Sequence, residues 1–506
     1  MTPAATRYAA LSASRDTVLQ RAREASRLTI PGLIPVDGQN EHTVHEQAYQ
    51  SLGARCVSSL SATLLLALFP PNLPFYRLQI DEDTAKQLGT QLGEANSKLS
   101  AVARTAYSLM TGASIRPILM EVIRHLVVAG NCLLHIADDR VRFFRLDQYV
   151  VKRNSAGKFI EIVVVEKVYP STLEPEVLAA VGLENGSGKT EQMVDVYTII
   201  KRVGGQVQQH QEINGKIVPG SQGGSPEDAS GWVPLRWLVV PGSDYGRSHV
   251  TENIGDLLSL EDLSKAMVQF AMAAARIIHI VDPNAGIDVE ELADAQTGDF
   301  LTGYRDRIST LQLDKHQDWG VMNALAERLE NRISAAFLLR AGMMRDAERV
   351  TAEEVRIVAQ ELENTLGGTY TVLSDELQLP LVRRYLYLGV KKGRLPKLPK
   401  AIQPVIVTGF DALGRAHSVN RIRAWAQDAQ AVLGNAFQAL INGDELLKRL
   451  GDGHGVEGLD DLIKSAEQRQ ADEQNAALAQ AGQAAAPHLA KAGVDAVIAA
   501  QAQEPV

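Results

Sequence analysis

Two long proline-free stretches bracket a short strand-like unit, and this arrangement restricts the fold more than any other feature of the chain. Across 249–278, Leu260, Leu263, Met267, Phe270, Ala274 and Ile277 recur at spacings of three and four. That is the apolar stripe of a helix burying one side. A second such helix is expected at about 318–340, with Val321, Leu325, Leu329, Ile333 and Phe337 on one face. Between them, "IIHIVDP", "DVEELADAQ" and "ISTLQL" read as strand, helix and strand. After the second stripe, a polar loop "AGMMRDAER" leads to "VTAEEVRIVAQELENTLGG". Thr351 with Glu354 three residues on forms a capping box that starts a further helix. Bends are expected at Gly367-Gly368 and near Pro380 before that helix ends at about Leu388.

Upstream, 3–28 reads as an arginine-rich helix stopped by the prolines of "TIPGLIP". Helices follow at about 45–69, 82–110 and 117–130. Then "VRFFRLDQYVVKRNSAGKFIEIVVVEKV" reads as two strands joined at "NSAGK", and more strands run through 193–240. The glycine-rich stretch "NGKIVPGSQGGSPEDASG" inside that region reads as a long loop. Residues 30–245 therefore form an α+β region. Downstream, "KKGRLPKLPK" at 391–400 reads as an exposed basic linker, with helices at about 416–440 and 443–450. The Ala/Gln-rich last 40 residues read as a thin helix or a partly disordered tail. Aromatics are only 5% of the chain, so its cores rest on Ala, Leu, Val and Ile, which leans towards helix.

The stretch "LENGSGKTEQ" ends like a phosphate-binding loop, but the spacing fails. The motif requires a glycine five residues before Gly188, where Leu183 stands, and a helix after Lys189 and Thr190. Instead Val194, Val196, Thr198 and Ile200 alternate as a strand does. The stretch reads as a turn between the short helix "EPEVLAAV" and that strand. His42 and His45 have no third ligand in view, and "GDGHGVEGLDD" lacks the alternating oxygens of a calcium loop. No catalytic residues, metal site or cofactor are expected. Cys56 and Cys132 form no CxxC pair, which points to a reducing cytoplasm. The apolar run "LLLALF" is far short of the ~20 residues a membrane span needs, so a soluble, intracellular protein is expected. A net charge of −9 argues against tight binding of nucleic acid over a broad surface.

The order of these parts resembles the portal, or head-to-tail connector, proteins of tailed bacteriophages. Individual stretches look closest to connectors of the short-tailed phages, the podoviruses. They include "TIPGLIP", "LGARCVSSLSATLLLALFP", "LVVAGNCLLHI", "YGRSHV", "GDLLSLEDL", "AQTGDFLTG", "ERVTAEEVRIVAQELENTLGG" and "TGFDALGRAHS", and the resemblance spans about residues 25–425. It implies an α+β, mainly α, portal fold with wing, stem, clip and crown, assembled as a ring. On this chain the wing would be 1–247, the stem helices 248–278 and 314–340, and the clip 279–313. The tunnel loop would be 341–350, the kinked wing helix 351–390, a basic linker and return segment 391–425, and the crown with its tail 426–506.

In function the resemblance implies a ring of usually twelve subunits at one capsid vertex of the virion, assembled in the host cytoplasm. Double-stranded DNA would enter and leave through its axial channel. The partners implied are the terminase, tail and adaptor proteins, the major capsid protein, scaffolding protein and internal core proteins. Candidate channel residues are Arg340, Arg345 and Arg349. Asp282, Asp288, Glu290, Glu291 and Asp294 would give the clip an acidic docking edge. Leu260, Leu263, Met267, Phe270, Leu325, Leu329 and Ile333 would pack the stem within and between subunits. Two rival readings remain at this point: a P-loop-type nucleotide-binding enzyme, and a helical adaptor or scaffold without a DNA channel.

Overall fold

The computed structural model describes residues 3–39, 43–70, 74–88, 92–183, 192–274, 278–282, 288–296, 308–311, 316–339, 366–399, 401–406 and 410–434, with isolated positions at 300, 306 and between 437 and 451. The described helices are α1 (Ala4–Leu28), α2 (Leu52–Leu68), α3 (Glu82–Leu88), α4 (Leu92–Gly112), α5 (Ile115–Ala129), α6 (Pro175–Val181), α7 (His249–Glu252), α8 (Ile254–Ala274), α9 (Val289–Asp294), α10 (His316–Ala336), α11 (Gly368–Leu373), α12 (Leu379–Lys391) and α13 (Phe410–Leu433). The strands are β1 (Tyr76–Ile80), β2 (Asn131–Ile136), β3 (Val141–Phe144), β4 (Tyr149–Arg153), β5 (Phe159–Val168), β6 (Val194–Val203), β7 (Gln206–Ile213), β8 (Lys216–Ile217), β9 (Gly223–Pro226), β10 (Trp232–Arg236), β11 (Ile278–Val281), β12 (Ile308–Leu311) and β13 (Ile402–Ile406). The fold is α+β and mainly α. The chain divides into a unit of residues 1–412 and a second of 413–506, whose described part is mostly α13.

An antiparallel sheet in the order β4-β5-β6-β7-β8, with β9 also on β7, forms the centre of the first unit. Alternation along its strands explains how both faces are covered. Val150, Val163 and Ile199 point to one face, where Ala4, Tyr8 and Leu11 of α1 meet them. Tyr149, Val151, Ile162, Val164 and Ile200 point to the other, joined by Leu19 and Ala22 of the same helix. Polar contacts hold α1 there. Glu212 accepts from the Ala4 N–H (2.7 Å), supplying the negative end that the helix's own first turn lacks. Arg7 pairs with Glu161 (2.7 Å), and buried Arg15 donates to the carbonyls of Asp147 and Tyr149.

The expected hairpin at "NSAGK" joins β4 to β5, but 141–153 is split between two sheets. β3 pairs with β2, and a tight turn at Leu146–Gln148 redirects the chain into β4. Gln148 accepts from the Arg145 N–H (3.0 Å), and Arg145 holds Asp147, so local side chains stabilise the turn within a strand-like run. The stretch 214–231 is not a plain loop, because β8 and β9 find pairing groups on β7. The second helix starts at Leu52, not near 45. Residues 49 and 50 are held instead by Glu261, which accepts from both of their N–H groups. Short β13 pairs with β1 across more than 300 residues of chain.

Near Pro380 the helical path contains a π-turn, Ser374–Gln378, between α11 and α12. Proline has no N–H and its ring crowds the carbonyl four residues back, so the ladder widens there. Among the described residues no helix is long and apolar enough to cross a membrane.

His125 is buried against the β2–β3 sheet, and His135 is half-buried on β2. Burial pushes His125 down to about 4 and His135, stacked on Trp232 at 3.7 Å, down to about 3. The unfolded chain therefore takes up protons first as pH falls through about 6.5. This contribution is complete above that pH and is lost as pH falls towards the folded values. Each pH unit within the window costs about 1.4 kcal/mol per histidine. We expect urea unfolding to show lower stability at pH 5 than at pH 7, and a shallower pH slope for His125→Leu. An unchanged slope would contradict neutral burial of His125.

Candidate functional site

The hairpin of α8 and α10 is set on the body at one crowded point. Gly130 ends α5 with φ +74°, and a Cβ there would lie 2.6 Å from the Ser248 nitrogen. Only glycine allows that approach without strain. Ser248 caps α7 by accepting from the Thr251 N–H (2.9 Å). His249 Nε2 donates to the Ala336 carbonyl (3.0 Å), which fixes the ring tautomer. That ring also meets fully buried Phe337 edge-on at 4.7 Å. Burial keeps the His249 pKa below its ordinary value.

Beyond this base the helices run antiparallel. Arg332 pairs with Asp256 near the body, and Phe270 stacks on Trp319 (5.7 Å) further out. Leu257 and Leu260 are buried, as are Ala326, Leu329 and Ile333 opposite them. Leu263, Met267 and Phe270 are half-buried.

The five-residue face expected on α10 does not hold together. Leu329, Ile333 and Phe337 are buried, but Leu325 is 49% exposed and Val321 71%. A strict spacing of four overshoots each 3.6-residue turn by about 40°. The row therefore wraps around the helix, and its outer members leave the hairpin seam. On α8, Val268 and Met272 are exposed likewise, 45% and 66%. The hairpin thus carries apolar flanks that it does not itself cover.

These residues lie within 2–458, the span over which the chain matches the family described as bacteriophage head to tail connecting protein. The chain belongs to that family. The portal protein of Escherichia phage T7 is 38% identical over 435 residues, covering 83% of this chain and 81% of that one. The portal protein of Pseudomonas phage phiKMV is 32% identical over 418 residues, covering 80% of each. A chain in the neck of an empty GTA particle covers 79% of this chain and 90% of its own at 15% identity. Its TM-score of 0.37 is too loose to bear on the fold.

At the far end of the connector's hairpin, β11 and β12 pair antiparallel and α9 lies between them in sequence. Asp288 accepts from the Glu290 N–H (2.9 Å) at the start of α9. Asp288, Glu290 and Asp294 are exposed, and Asp282 is half-buried. Glu291 lies in α9, with its side chain outside the described residues. Arg340, Arg345 and Arg349 also lie outside them, as do "GSGKT" and the capping box of Thr351 and Glu354. The next described element after "GSGKT" is strand β6, where a phosphate-binding loop requires a helix. Among the described residues, no three His, Cys, Asp or Glu side chains could hold a metal.

Two anchors of the connector leave no mark in the apolar pattern. Glu261 is buried in α8, where its carboxylate ties the hairpin to residues 49 and 50. Arg236 of β10 grips Glu376 of the π-turn through its backbone N–H and its guanidinium. A carboxylate inside an apolar stripe, as in "LSLEDL", is the one hint available for the first.

Proposed function

We propose that this connector is the subunit of a portal ring, with twelve copies around an axial channel at one capsid vertex. Double-stranded DNA passes through that channel during packaging and ejection. The observation that carries the reading is the pair of uncovered apolar flanks on the α8–α10 hairpin. Val268, Met272, Val321 and Leu325 remain exposed in the single chain. Burying apolar surface is favourable by about 25 cal/mol per Å². A neighbouring copy of the hairpin, set side by side around a ring, covers both flanks at once.

In this reading α8 and α10 form the stem, and β11, α9 and β12 form the clip. The exposed carboxylates of α9 face the terminase during packaging and tail adaptors afterwards. The body faces capsid, scaffolding and internal core proteins. Arg340, Arg345 and Arg349 meet DNA at the narrowest point. A net charge of −9 per chain suits a channel that conducts DNA without holding it, since each lasting phosphate contact adds affinity. The ring assembles in the host cytoplasm, works without catalysis and becomes part of the virion.

Electron microscopy of the purified protein tests this directly. We expect axial views with about twelve subunits around a hole wide enough for a duplex. Closed particles would favour an adaptor without a channel. Monomers that bind nucleotide, and lose it in Lys189→Ala, would return "GSGKT" to consideration.

A further inference from the structure

The basic stretch expected as an exposed linker is exposed over most of its described residues, 391–399, but buried Leu395 anchors it to the body. α12 ends at Lys391, and the chain turns back through Gly393 at φ +68°. The N–H groups of Arg394 and Leu395 both donate to the Gly389 carbonyl (2.9 and 3.1 Å). The tip of the buried Leu395 side chain packs against Gly389, in the space a Cβ there would occupy. These contacts pin the turn.

Beside this turn is a recess of about 180 Å³, walled by Leu109, Ala113, Val141, Tyr385, Leu388 and Gly389. Its rim is rich in cations. Lys391 pairs with Asp138, Lys392 donates to the Asp138 carbonyl, and Arg384 reaches the same carboxylate at 3.3 Å. Arg140, which lines the recess, is exposed with no ion pair among the described residues. Against Arg140, Lys391, Lys392 and the buried Arg384 stand two carboxylates, Asp138 and Asp139. Asp138 is already engaged, and Lys391 first of all holds its pKa below the usual range. The excess is felt inside the body too. After burial, the largest influences lowering the His135 pKa are Arg142, Arg384 and Arg140. In a chain of net charge −9, this is a local inversion of sign.

We propose that this recess and its rim form a docking site for an acidic peptide segment of a partner protein, with one large apolar side chain seated in the recess. Carboxylates on either side of that anchor meet Arg140, Lys391 and Lys392. The apolar walls select a peptide over nucleic acid. A phosphate row engages the rim but leaves the recess unfilled, and it runs past exposed Asp139. The pinned turn holds the cations in place before binding, so little ordering cost falls on this side of the interface. The site stands on this chain's own surface and does not depend on the number of subunits in a ring.

The test uses the full-length protein and fluorescence anisotropy with labelled synthetic peptides. One peptide carries three aspartates around a central phenylalanine, one replaces that phenylalanine by alanine, and one replaces the aspartates by asparagine. A short DNA duplex is the fourth probe. We expect the first peptide to bind and to weaken as salt rises. Each altered peptide should bind about tenfold more weakly or worse, as should the parent peptide to Lys392→Glu or Arg140→Glu protein. Both substitutions are at exposed positions, and Ala113→Trp at the recess lip provides a charge-neutral third variant. Ala113→Trp should remove the advantage of phenylalanine over alanine while leaving the salt dependence. Failure of the first peptide to bind, equal binding of the alanine peptide, or a duplex that binds as well and is equally weakened by Lys392→Glu would each overturn the proposal.

Discussion

Leu325→Glu should leave the individual chain folded and abolish the ring. Leu325 is 49% exposed in the single chain, so a carboxylate there stays in water and costs within about 0.5 kcal/mol. In the ring proposed above, the same carboxylate would be taken out of water beside apolar neighbours, at a cost of several kcal/mol per ion. That cost recurs at every interface around the ring. Sedimentation velocity should show rings for the parent and monomers for the variant, with equal urea midpoints under monomeric conditions. Leu329→Glu is the control that behaves differently. Leu329 is 6% exposed within the chain's own hairpin, so the charge also destabilises the monomer. Rings that form normally from Leu325→Glu protein would remove the stem assignment.

The second large effect is expected at the π-turn. Arg236 has only 6% of its side chain exposed and donates to both oxygens of Glu376. Arg153 lies close by and is mostly buried, and its donors go to the carbonyls of Asp244, Gly157 and Pro234. Burial lowers its pKa, Arg236 adds to that by repulsion, and Glu376 opposes it. Glu376→Ala therefore leaves buried Arg236 without its ion-pair partner and removes the nearby carboxylate that offsets its repulsion of Arg153. Arg236→Ala leaves Glu376 with Arg153 still near. Breaking a buried pair costs about 3 kcal/mol or more. The expected order is that Glu376→Ala loses more than Arg236→Ala in urea unfolding, with non-additive double substitution. The reverse order would mean that Arg153 is compensated by other groups.

How much of the connector is legible in its sequence differs between features for physical reasons. The stripe through Leu260 and Met267 and the turn at "NSAGK" are written in residues within a turn or two of each other. Each is found in the structure. The face on α10 fails at its outer end, because an i+4 spacing drifts around the helix over several turns. The flank exposed by that drift is the candidate assembly surface. The basic stretch at 391–400 is legible as charged, but not as a built rim. Its recess exists only because Leu395 returns to Gly389, and because α4 and the β2–β3 turn meet α12.

By itself, the sequence determined most of the order of helices and strands, the two long helices that flank β11 and β12, the failure of the P-loop spacing and membership of the connector family. Periodicity, capping and turn chemistry act over a few residues, so they survive in a one-dimensional string. Tertiary structure alone decided that 141–153 would serve two sheets, that β8 and β9 would add to β7, and that β13 would find β1. It also decided that Arg236 would meet Glu376 across 140 residues. Those choices depend on which backbone groups and charges the rest of the chain leaves unpaired nearby. No local pattern records them.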